Sequence, residues 1–347
     1  MRELKNSYKG KSILVTGGVG SIGSEIVKKL LEFDPRVIRI LDINETGLFE
    51  LEQELQSEKL RPLVGDIRDK DRLNRAIEDI DIVFHAAAMK HVPLCEYNPF
   101  EAVKTNVLGT QNVIDVAIDE EVEKFITIST DKAVNPINVM GATKLLAERL
   151  TISANFYKGY KKTTFSCVRF GNVLDTRGSV IPLFRKQIKN GGPLTITNPD
   201  MTRFMMSISK AVELALKAAK MAKGGEVYIL KMPALRIADL AEIIVEQLAP
   251  KYGYAPNQIE IQITGRRAGE KLYEELMTEE ESMNAYESEE MFVVLPQILG
   301  ITGKLLGLSY KPPNNFKKNK KREYSSKNVK LLTKEGIKSL LNELNTE

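Results

Sequence analysis

Two adjacent charged residues, and a third further along the chain, are of types suited to acid–base chemistry. Asp131 and Lys132 follow a short apolar segment directly, and Lys144 comes twelve residues after Lys132. The chain has only two histidines, His85 and His91, so we expect proton transfer to fall to Asp, Glu, Lys or Tyr side chains. The plain alternative for an Asp-Lys pair is a solvated surface turn. The pair follows a predicted central strand and does not lie in a hairpin, which favours a functional site over a surface turn.

A second group of residues has the spacing of a phosphate-binding turn. Gly17, Gly20 and Gly23 stand between a predicted strand at 12–16 and an amphipathic run. Such a turn lets the backbone approach a pyrophosphate, whose charge is met by the free N–H groups of a helix amino terminus. The GxxGxxG spacing departs from GxGxxG and is weak alone. Asp42 ends the next predicted strand, where a carboxylate can accept both ribose hydroxyls of an adenosine, so we predict a dinucleotide site.

The carboxylate of Asp42 also bears on which dinucleotide binds. It repels the 2′-phosphate of NADP, and the two residues after it supply no arginine to bind one. NAD is therefore favoured, and NADP stays open because Arg36, Arg39 or Arg61 can fold back toward the site. The other residues expected at the cofactor are Ser21 and Ile22 in the turn, Asp66 and Ile67 after the third strand, and Ala86, Ala87 and Ala88 after the fourth.

These residues stand at the ends of strands in an alternating strand and helix pattern. Apolar and amphipathic runs predict strands at 12–16, 37–41, 60–64, 82–86 and 124–129, and helices at 25–33, 48–59, 70–77 and 100–119. The alternation favours a parallel sheet with helices on both faces and right-handed crossovers. The expected class is α/β, a Rossmann-type doubly wound parallel sheet.

The pattern changes after Phe170, where Gly and Pro interrupt shorter elements. We predict a Rossmann domain at 1–170, with 203–230 returning to it. A smaller, partly interleaved α/β substrate-binding subdomain is expected at 171–202 and 231–310. Residues 311–347 are expected to form a basic loop, solvated across 312–322, and a C-terminal amphipathic helix at 331–344.

Composition excludes several classes of protein. The 347 residues carry 50 Lys and Arg against 46 Asp and Glu, and 43% are hydrophobic, which is an ordinary globular balance with no demand for nucleic acid. Two separated cysteines, Cys95 and Cys167, form neither a disulfide framework nor a zinc motif, so we expect no metal and a cytoplasmic location. No stretch approaches the roughly 18 apolar residues of a membrane span.

The segment before Lys144 resembles the YxxxK helix of the extended short-chain dehydrogenase/reductase superfamily, with Met140 at the tyrosine position. A thioether has no proton to exchange and cannot act as a base. With this departure, the chain is similar from about residue 11 to 281 to a short soluble form of the polysaccharide-biosynthesis UDP-N-acetylglucosamine 4,6-dehydratases. The motifs are STDKA at 129–133, AMKHVP at 88–93, RFGNV at 169–173, RGSVIP at 177–182, MTRF at 201–204 and GEKLYEE at 269–275.

This resemblance implies tightly bound NAD or NADP and a redox-neutral reaction. C4 of the hexose is oxidised, water leaves across C5 and C6, and the hydride returns to C6. The resemblance implies Asp131 as the acid for water loss, Lys132 as the C5 base and Lys144 as a ligand of the nicotinamide ribose. We expect burial, or the charge of Lys144, to move the pKa of Lys132 toward neutrality. With Met140 inert, the O4 proton is expected to leave by Asp131 assisted by Thr130, with Lys132 or water as open alternatives.

The resemblance and charge complementarity also imply contacts to UDP-N-acetylglucosamine or a related UDP-sugar. Arg203 and Arg267 are expected to hold the diphosphate. Asn172 is expected to hold a phosphate or a sugar hydroxyl, and Glu270 the uridine ribose. The remaining expected contacts are Lys90 at the sugar, Asn106 near the nicotinamide and Val180 in the RGSVIP motif.

Other functions fit some of these residues. A UDP-hexosamine 4-epimerase needs the same cofactor and C4 oxidation but no acid and base at C5 and C6, so the Asp131-Lys132 pair argues against it. A variant dehydratase can release a 5,6-ene sugar instead of the 4-keto product. A non-catalytic NAD-binding regulator would explain the missing tyrosine, but it has little need for the retained charged residues. The configuration at C5 stays open, and the superfamily resemblance implies a homo-oligomer.

Overall fold

The computed structural model describes residues 2–296, 311–320 and 322–344. Its α-helices are α1 (Arg2–Tyr8), α2 (Ser21–Leu31), α3 (Glu45–Leu55), α4 (Lys70–Ile77), α5 (Val92–Tyr97), α6 (Pro99–Val103), α7 (Thr110–Asp119), α8 (Val139–Tyr157), α9 (Val180–Lys189), α10 (Ile208–Met221), α11 (Ile237–Leu248), α12 (Glu279–Met283) and α13 (Lys334–Leu344).

Its strands are β1 (Ser12–Thr16), β2 (Val37–Asp42), β3 (Leu60–Val64), β4 (Ile82–His85), β5 (Lys124–Thr130), β6 (Thr164–Phe170), β7 (Asn172–Val173), β8 (Leu194–Ile196), β9 (Thr202–Met206), β10 (Val227–Leu230), β11 (Ala234–Arg236), β12 (Ile261–Ile263), β13 (Glu275–Met277), β14 (Ala285–Glu287), β15 (Met291–Val294), β16 (Lys317–Lys318) and β17 (Tyr324–Ser325).

One large sheet organises the molecule. In the described part of the chain it has ten strands, in the order β16-β14-β15-β10-β6-β5-β4-β1-β2-β3. The strands from β10 to β3 pair in parallel, and β15, β14 and β16 extend one edge antiparallel. The order β3-β2-β1-β4-β5-β6 is that of a Rossmann sheet, whose strand order reverses between β1 and β4. The predicted α/β class is confirmed.

Helices cover both faces of this sheet, so most side chains of its central strands are buried. On one face Ile26 of α2 and Leu216 of α10 are completely buried. On the other face Leu73 of α4 and Val113 of α7 are completely buried. Full burial of one such side chain contributes about 1.5–3 kcal/mol, so the apolar stripes of these helices fix which side of each helix meets the sheet.

A second core lies among α9, α11 and α13, where Phe184, Leu240 and Ile337 are buried together. The predicted division into domains stays a prediction, and the pairing of the strands bears on it. β9 pairs with β7 and β11 rather than with the large sheet, whereas β10 joins the large sheet beside β6. β14 and β15, which fall within the predicted substrate-binding part, also pair with the large sheet.

Three predicted elements differ in detail. The helix predicted at 100–119 is divided by a π-helical turn at Lys104–Gly109. The helix predicted to reach residue 59 ends at Leu55, because Gln56 adopts a left-handed φ of 43°. The loop predicted at 312–322 contains β16, which pairs with β14. Hydrophobic periodicity reports burial and carries no signal for these main-chain changes. Among the described residues, no helix is long and apolar enough to cross a membrane.

Candidate active site

The glycine-rich turn connects β1 to α2, as the sequence predicts. Gly17 has a φ of +67°, and its N–H donates to the carbonyl of Leu41 at 2.8 Å. A Cβ on Gly17 would lie 2.6 Å from the main-chain nitrogen of Ala87, and one on Gly23 would lie 2.2 Å from the carbonyl oxygen of Gly17. The turn therefore packs backbone against backbone and leaves no space for side chains at these two positions.

The amino terminus of α2 and the carboxylate of Asp42 meet at this turn. Gly20 precedes α2, so no side chain flanks the first-turn amides of Ser21 and Ile22, which have no acceptor within the helix. Asp42 accepts a hydrogen bond from the N–H of Val19 at 3.2 Å. The free amides and the positive end of the helix dipole suit a diphosphate. The carboxylate at the end of the next strand suits the ribose that follows it.

Three arginines, Arg36, Arg39 and Arg61, are candidate ligands for the 2′-phosphate of NADP. Their side chains donate hydrogen bonds elsewhere. Arg36 donates to the hydroxyl of Ser12 at 2.7 Å. Arg39 donates to main-chain carbonyls at the end of α4, and Arg61 donates to main-chain carbonyls beside it. None of these bonds is made to Asp42.

The other residues expected at the cofactor lie beyond β3 and β4. Asp66 is paired with Arg68 at 2.6 Å, and Ile67 is buried. Ala86, the first residue after β4, donates its N–H to the carbonyl of Thr16 at 3.1 Å, and its neighbours Ala87 and Ala88 continue the same segment. Small side chains therefore follow β4 where the backbone of the glycine turn passes closest.

Asn106 differs from the expectation, because protein groups occupy its amide. Its oxygen accepts from the N–H of Met89 at 2.7 Å, and its nitrogen donates to the carbonyl of Met89 and the hydroxyl of Thr143, both at 3.0 Å. The side chain is buried within the π-helical turn. Asn106 thus ties the segment after β4 to α8 instead of presenting free amide atoms to a cofactor.

The two histidines lie in different surroundings. His85 is buried between the hydroxyls of Thr16 and Thr110, at 2.7 and 2.9 Å. Burial, with a smaller contribution from Lys144, lowers the pKa of His85 to about 3, so the ring is neutral at physiological pH. His91 is exposed and its ring lies against Gly178, where a Cβ would come within 2.6 Å.

Asp131 and Lys132 form a hydrogen-bonded group at the end of β5. Thr130 donates its hydroxyl to the Asp131 carboxylate at 2.8 Å, and the Lys132 ammonium donates to the same oxygen at 3.0 Å. Lys132 also donates to the side-chain oxygen of Asn172 at 3.2 Å. Asp131 is completely buried, and its other oxygen, Oδ2, has no hydrogen-bond partner among the described residues. That oxygen is therefore a buried acceptor without a donor from the described part of the chain.

A further carboxylate, Glu274, belongs to this group. Its Oε1 lies 3.7 Å from the Lys132 nitrogen and 3.6 Å from Nε of Arg203. Burial lowers the pKa of Lys132, but Asp131 and Glu274 outweigh burial and hold that pKa above its ordinary value. The expected shift toward neutrality is therefore wrong for this arrangement. Sequence reasoning also missed Glu274, although the GEKLYEE motif contains it.

Lys144 is not the positive neighbour of Lys132, contrary to expectation. Its nitrogen is buried and donates to the carbonyl of Ile128 at 2.7 Å. Burial lowers the pKa of Lys144, and the negative charge of Glu148 only partly opposes that effect. The cation that opposes the charge of Lys132 is Arg203, which approaches from β9.

Arg203 is placed differently from the expected open position for a diphosphate. The side chain is buried and donates to the main-chain carbonyls of Thr202 at 2.8 Å and Lys271 at 2.9 Å. Arg267 is exposed, and its N–H donates to Glu270 at 3.1 Å. Of the two predicted diphosphate ligands, only Arg267 has its side chain in solvent.

The segment before α9 lies against the glycine turn. Lys90 donates to the carbonyl of Arg177 at 2.8 Å, and the N–H of Arg177 donates to the hydroxyl of Ser21 at 3.1 Å. Val180, the first residue of α9, follows this segment and is half-buried. The predicted contacts at Lys90 and Val180 are thus brought to the same side of the molecule as the amino terminus of α2.

Met140 lies in an apolar pocket and not among the polar side chains around Asp131 and Lys132. It is the second residue of α8, is 3% exposed and packs with Cys95 and Ala102. The side chain that replaces the superfamily tyrosine is therefore part of a small core, which agrees with the chemistry of a thioether.

The Rossmann strand order, the glycine turn at the start of α2 and the acid–lysine pair at the end of β5 define an α/β protein of the extended short-chain dehydrogenase/reductase superfamily. Within it, the chain belongs to the polysaccharide biosynthesis protein family, whose sequence profile matches residues 13–296.

Individual relatives agree with this family. The chain is 66% identical over 343 residues to an uncharacterized membrane protein of Methanocaldococcus jannaschii, covering 99% of this chain and 98% of that one. It is 44% identical over 293 residues to an inverting UDP-N-acetylglucosamine 4,6-dehydratase of Campylobacter jejuni, covering 84% of each. It is 38% identical over 339 residues to a UDP-glucose 4-epimerase of Rickettsia rickettsii, covering 96% of each. The solved structure of Pen from Bacillus thuringiensis matches with a TM-score of 0.89 and 44% identity, covering 98% of this chain and 99% of that one.

Proposed function

We propose that this protein is a UDP-N-acetylglucosamine 4,6-dehydratase that forms a UDP-4-keto-6-deoxy-hexosamine for polysaccharide or glycan synthesis. The observation that carries the proposal is the buried Asp131, which is hydrogen-bonded to Lys132 and Thr130 and has one carboxylate oxygen without a partner among the described residues. A dehydratase needs an acid and a base next to C5 and C6, whereas an epimerase does not. The 44% identical Campylobacter dehydratase supports the same choice.

The residues present fit a nicotinamide dinucleotide. Its diphosphate would be held by the amides of Ser21 and Ile22 at the close-packed glycine turn, and its adenosine ribose by Asp42. When bound, the nicotinamide supplies a reversible hydride acceptor for C4 and a hydride donor for C6. We infer NAD rather than NADP, because Asp42 repels a 2′-phosphate and Arg36 and Arg39 are engaged elsewhere.

Asp131 can handle two of the protons in the reaction. Its unpaired oxygen is the proposed acceptor of the O4 proton as C4 becomes a ketone, while Thr130 stabilises the other oxygen. The same proton then passes to the C6 hydroxyl, which leaves as water. One carboxylate therefore serves first as base and then as acid, which removes the need for a tyrosine at Met140.

Lys132 is the proposed base for the C5 proton, which is acidic once C4 is a ketone. At rest its raised pKa keeps it as the ammonium, so it has to release one proton to solvent water before it can take the C5 proton. Protonation of Asp131 during C4 oxidation removes one of the two negative charges that hold the ammonium. Oxidation at C4 thus favours formation of the free amine when the C5 base is needed.

The UDP portion is assigned to residues on the outer side of the site. Arg267 is the proposed diphosphate ligand, and Glu270 the proposed acceptor for the uridine ribose. Asn172, Lys90 and Val180 are proposed to contact the sugar or the phosphates. These roles, the homo-oligomer and the cytoplasmic location are inferred from the resemblance.

Product analysis tests the proposed function. Incubation of the purified protein with UDP-N-acetylglucosamine in deuterated water should give a C6 methyl signal, loss of the C4 proton and deuterium at C5 in the proton NMR spectrum. The C5 configuration is read from the same spectrum. A UDP-6-deoxy-5,6-ene would identify the variant dehydratase. A C4 epimer with its C6 hydroxyl intact would identify a 4-epimerase, and bound NAD without turnover would identify a regulator.

Substitution of Met140 by tyrosine tests the proton route from O4. We expect kcat to change by less than about threefold, because the proposed route uses Asp131 and Thr130. Overpacking of the pocket around Cys95 should lower stability by about 1–3 kcal/mol. Activity and thermal melting would be compared with Met140→Leu, which conserves volume. A rise in kcat of tenfold or more would show that the reaction can use a base at this position.

A further inference from the structure

Among the residues that the structure describes, Glu274 is the carboxylate that reaches Lys132 from outside the segment of Lys132 itself. It directly precedes β13, on a segment whose N–H donates to the hydroxyl of Ser326 at 2.9 Å. The side chain is almost completely buried, at 2% exposure. Its Oε2 has no hydrogen-bond partner among the described residues. Burial of a carboxylate with an unpaired oxygen is costly, so nearby charge has to compensate for it.

Two cations provide that compensation. Lys132 and Arg203 each approach Oε1 of Glu274, at 3.7 and 3.6 Å. Asp131 faces Lys132 from the same turn, and Lys271 adds positive charge near Glu274. Two carboxylates and two close cations therefore share one buried space, where Coulomb interactions are stronger than in water.

We propose that Glu274 is a positioning residue that acts through Lys132. It holds the lysine nitrogen between β5 and the segment before β13, and it sets the pH at which that nitrogen becomes a free amine. The proposal rests on the proposed dehydratase function for its catalytic meaning, because only there does Lys132 serve as the C5 base.

The role of Glu274 differs from that of Asp131. Asp131 has an oxygen unpaired among the described residues and changes protonation during the proposed cycle. Glu274 takes no part in the proposed proton transfers, and its carboxylate lies against Lys132 and Arg203 instead. Burial raises the pKa of Glu274, and Lys132 and Arg203 oppose that rise. Neutralising Glu274 by substitution removes one of the two carboxylates that favour the ammonium form of Lys132. Asp131 remains, and burial and Arg203, which favour the free amine, are then opposed by one carboxylate instead of two.

Competitive acetylation measures this effect without relying on turnover. Acetic anhydride reacts with free amines, so acetylation of Lys132 followed by mass spectrometry against pH gives the midpoint of its titration. In Glu274→Gln we expect the midpoint to fall by about one to three pH units. Glu275→Gln is the matched control, since Glu275 is the adjacent carboxylate and bonds to Asn135 instead. Its midpoint should equal that of the wild type.

Glu274→Asp keeps the negative charge and provides a second test in case Glu274→Gln does not fold. Its midpoint should lie closer to wild type than to Glu274→Gln, with thermal melting confirming that each variant is folded. Equal Lys132 midpoints in wild type and folded Glu274→Gln would overturn the proposal.

The pH profile of kcat separates this proposal from the proposed function. With UDP-N-acetylglucosamine, the ascending limb of Glu274→Gln should move to lower pH, while KM changes less than about threefold. A shifted acetylation midpoint in a protein without dehydratase activity would retain the positioning role and reject the function. Dehydratase activity with an unmoved midpoint and an unmoved limb would retain the function and reject the positioning role.

Discussion

Replacing Lys132 by alanine is expected to lower kcat for conversion of UDP-N-acetylglucosamine by about 10³-fold, because the proposed C5 base is removed. Bound dinucleotide should be unchanged, since Lys132 contacts Asp131, Asn172 and Glu274 rather than the glycine turn. Turnover would be followed by product formation, and bound cofactor by absorbance after the protein is denatured.

Asp131→Asn is expected to cause a loss of similar size with the cofactor retained. The amide keeps the shape of the side chain but cannot accept and return a proton. Lys161→Ala is a suitable control, because Lys161 forms an exposed ion pair with Glu121 and should leave kcat unaffected. Full activity in the Lys132 or Asp131 variant would reject the assignment of both residues.

The second large effect is on stability and concerns the completely buried Arg169. Its guanidinium makes two hydrogen bonds to Glu148 on α8 and two to Glu281 on α12, at 2.6–3.0 Å. Arg169→Met leaves both carboxylates buried without their cation. The expected loss is about 3–5 kcal/mol of unfolding free energy, or a fall in Tm of roughly 10 °C.

Lys28→Met provides the comparison for Arg169→Met, because Lys28 and Glu54 form an exposed pair that should contribute less than about 1 kcal/mol. Burial disfavours the charge of Glu281, but Arg169 holds the pKa of that carboxyl below its ordinary value. The stabilisation is therefore present above that ordinary value and is lost as the pH falls through the lowered pKa. Equal chemical denaturation midpoints for the two variants at neutral pH would contradict the assigned role of Arg169.

Local patterns account for much of the fold. Mainly apolar, β-branched runs predicted β1, β2, β3 and β5 to within a residue or two, because strands of a parallel sheet covered by helices are rich in such residues. The turn from Gly17 to Gly23 was predictable because only glycine allows its close backbone contacts. The π-helical turn at Asn106 was not, because it depends on a hydrogen bond to Met89, seventeen residues away.

Some residues of the candidate site were also predictable from the sequence, and others were not. Asp131 and Lys132 were found because they are adjacent to each other and follow a strand. Glu274 was missed because it lies more than one hundred residues further along, and only the tertiary fold brings it to Lys132. Arg203 was found, but its burial and its bonds to carbonyls depend on where the 271–274 segment packs.

The sequence by itself determined the α/β class, the glycine turn, the carboxylate at Asp42 and the identity of the acid–lysine pair. These features depend on residue type and short-range order along the chain. Only the tertiary structure decided the charge state of Lys132, because a pKa follows from burial and from every charge within a few ångströms. The expected helper, Lys144, lies twelve residues away in sequence yet binds a carbonyl instead. Two distant residues, Glu274 and Arg203, surround the lysine in its place.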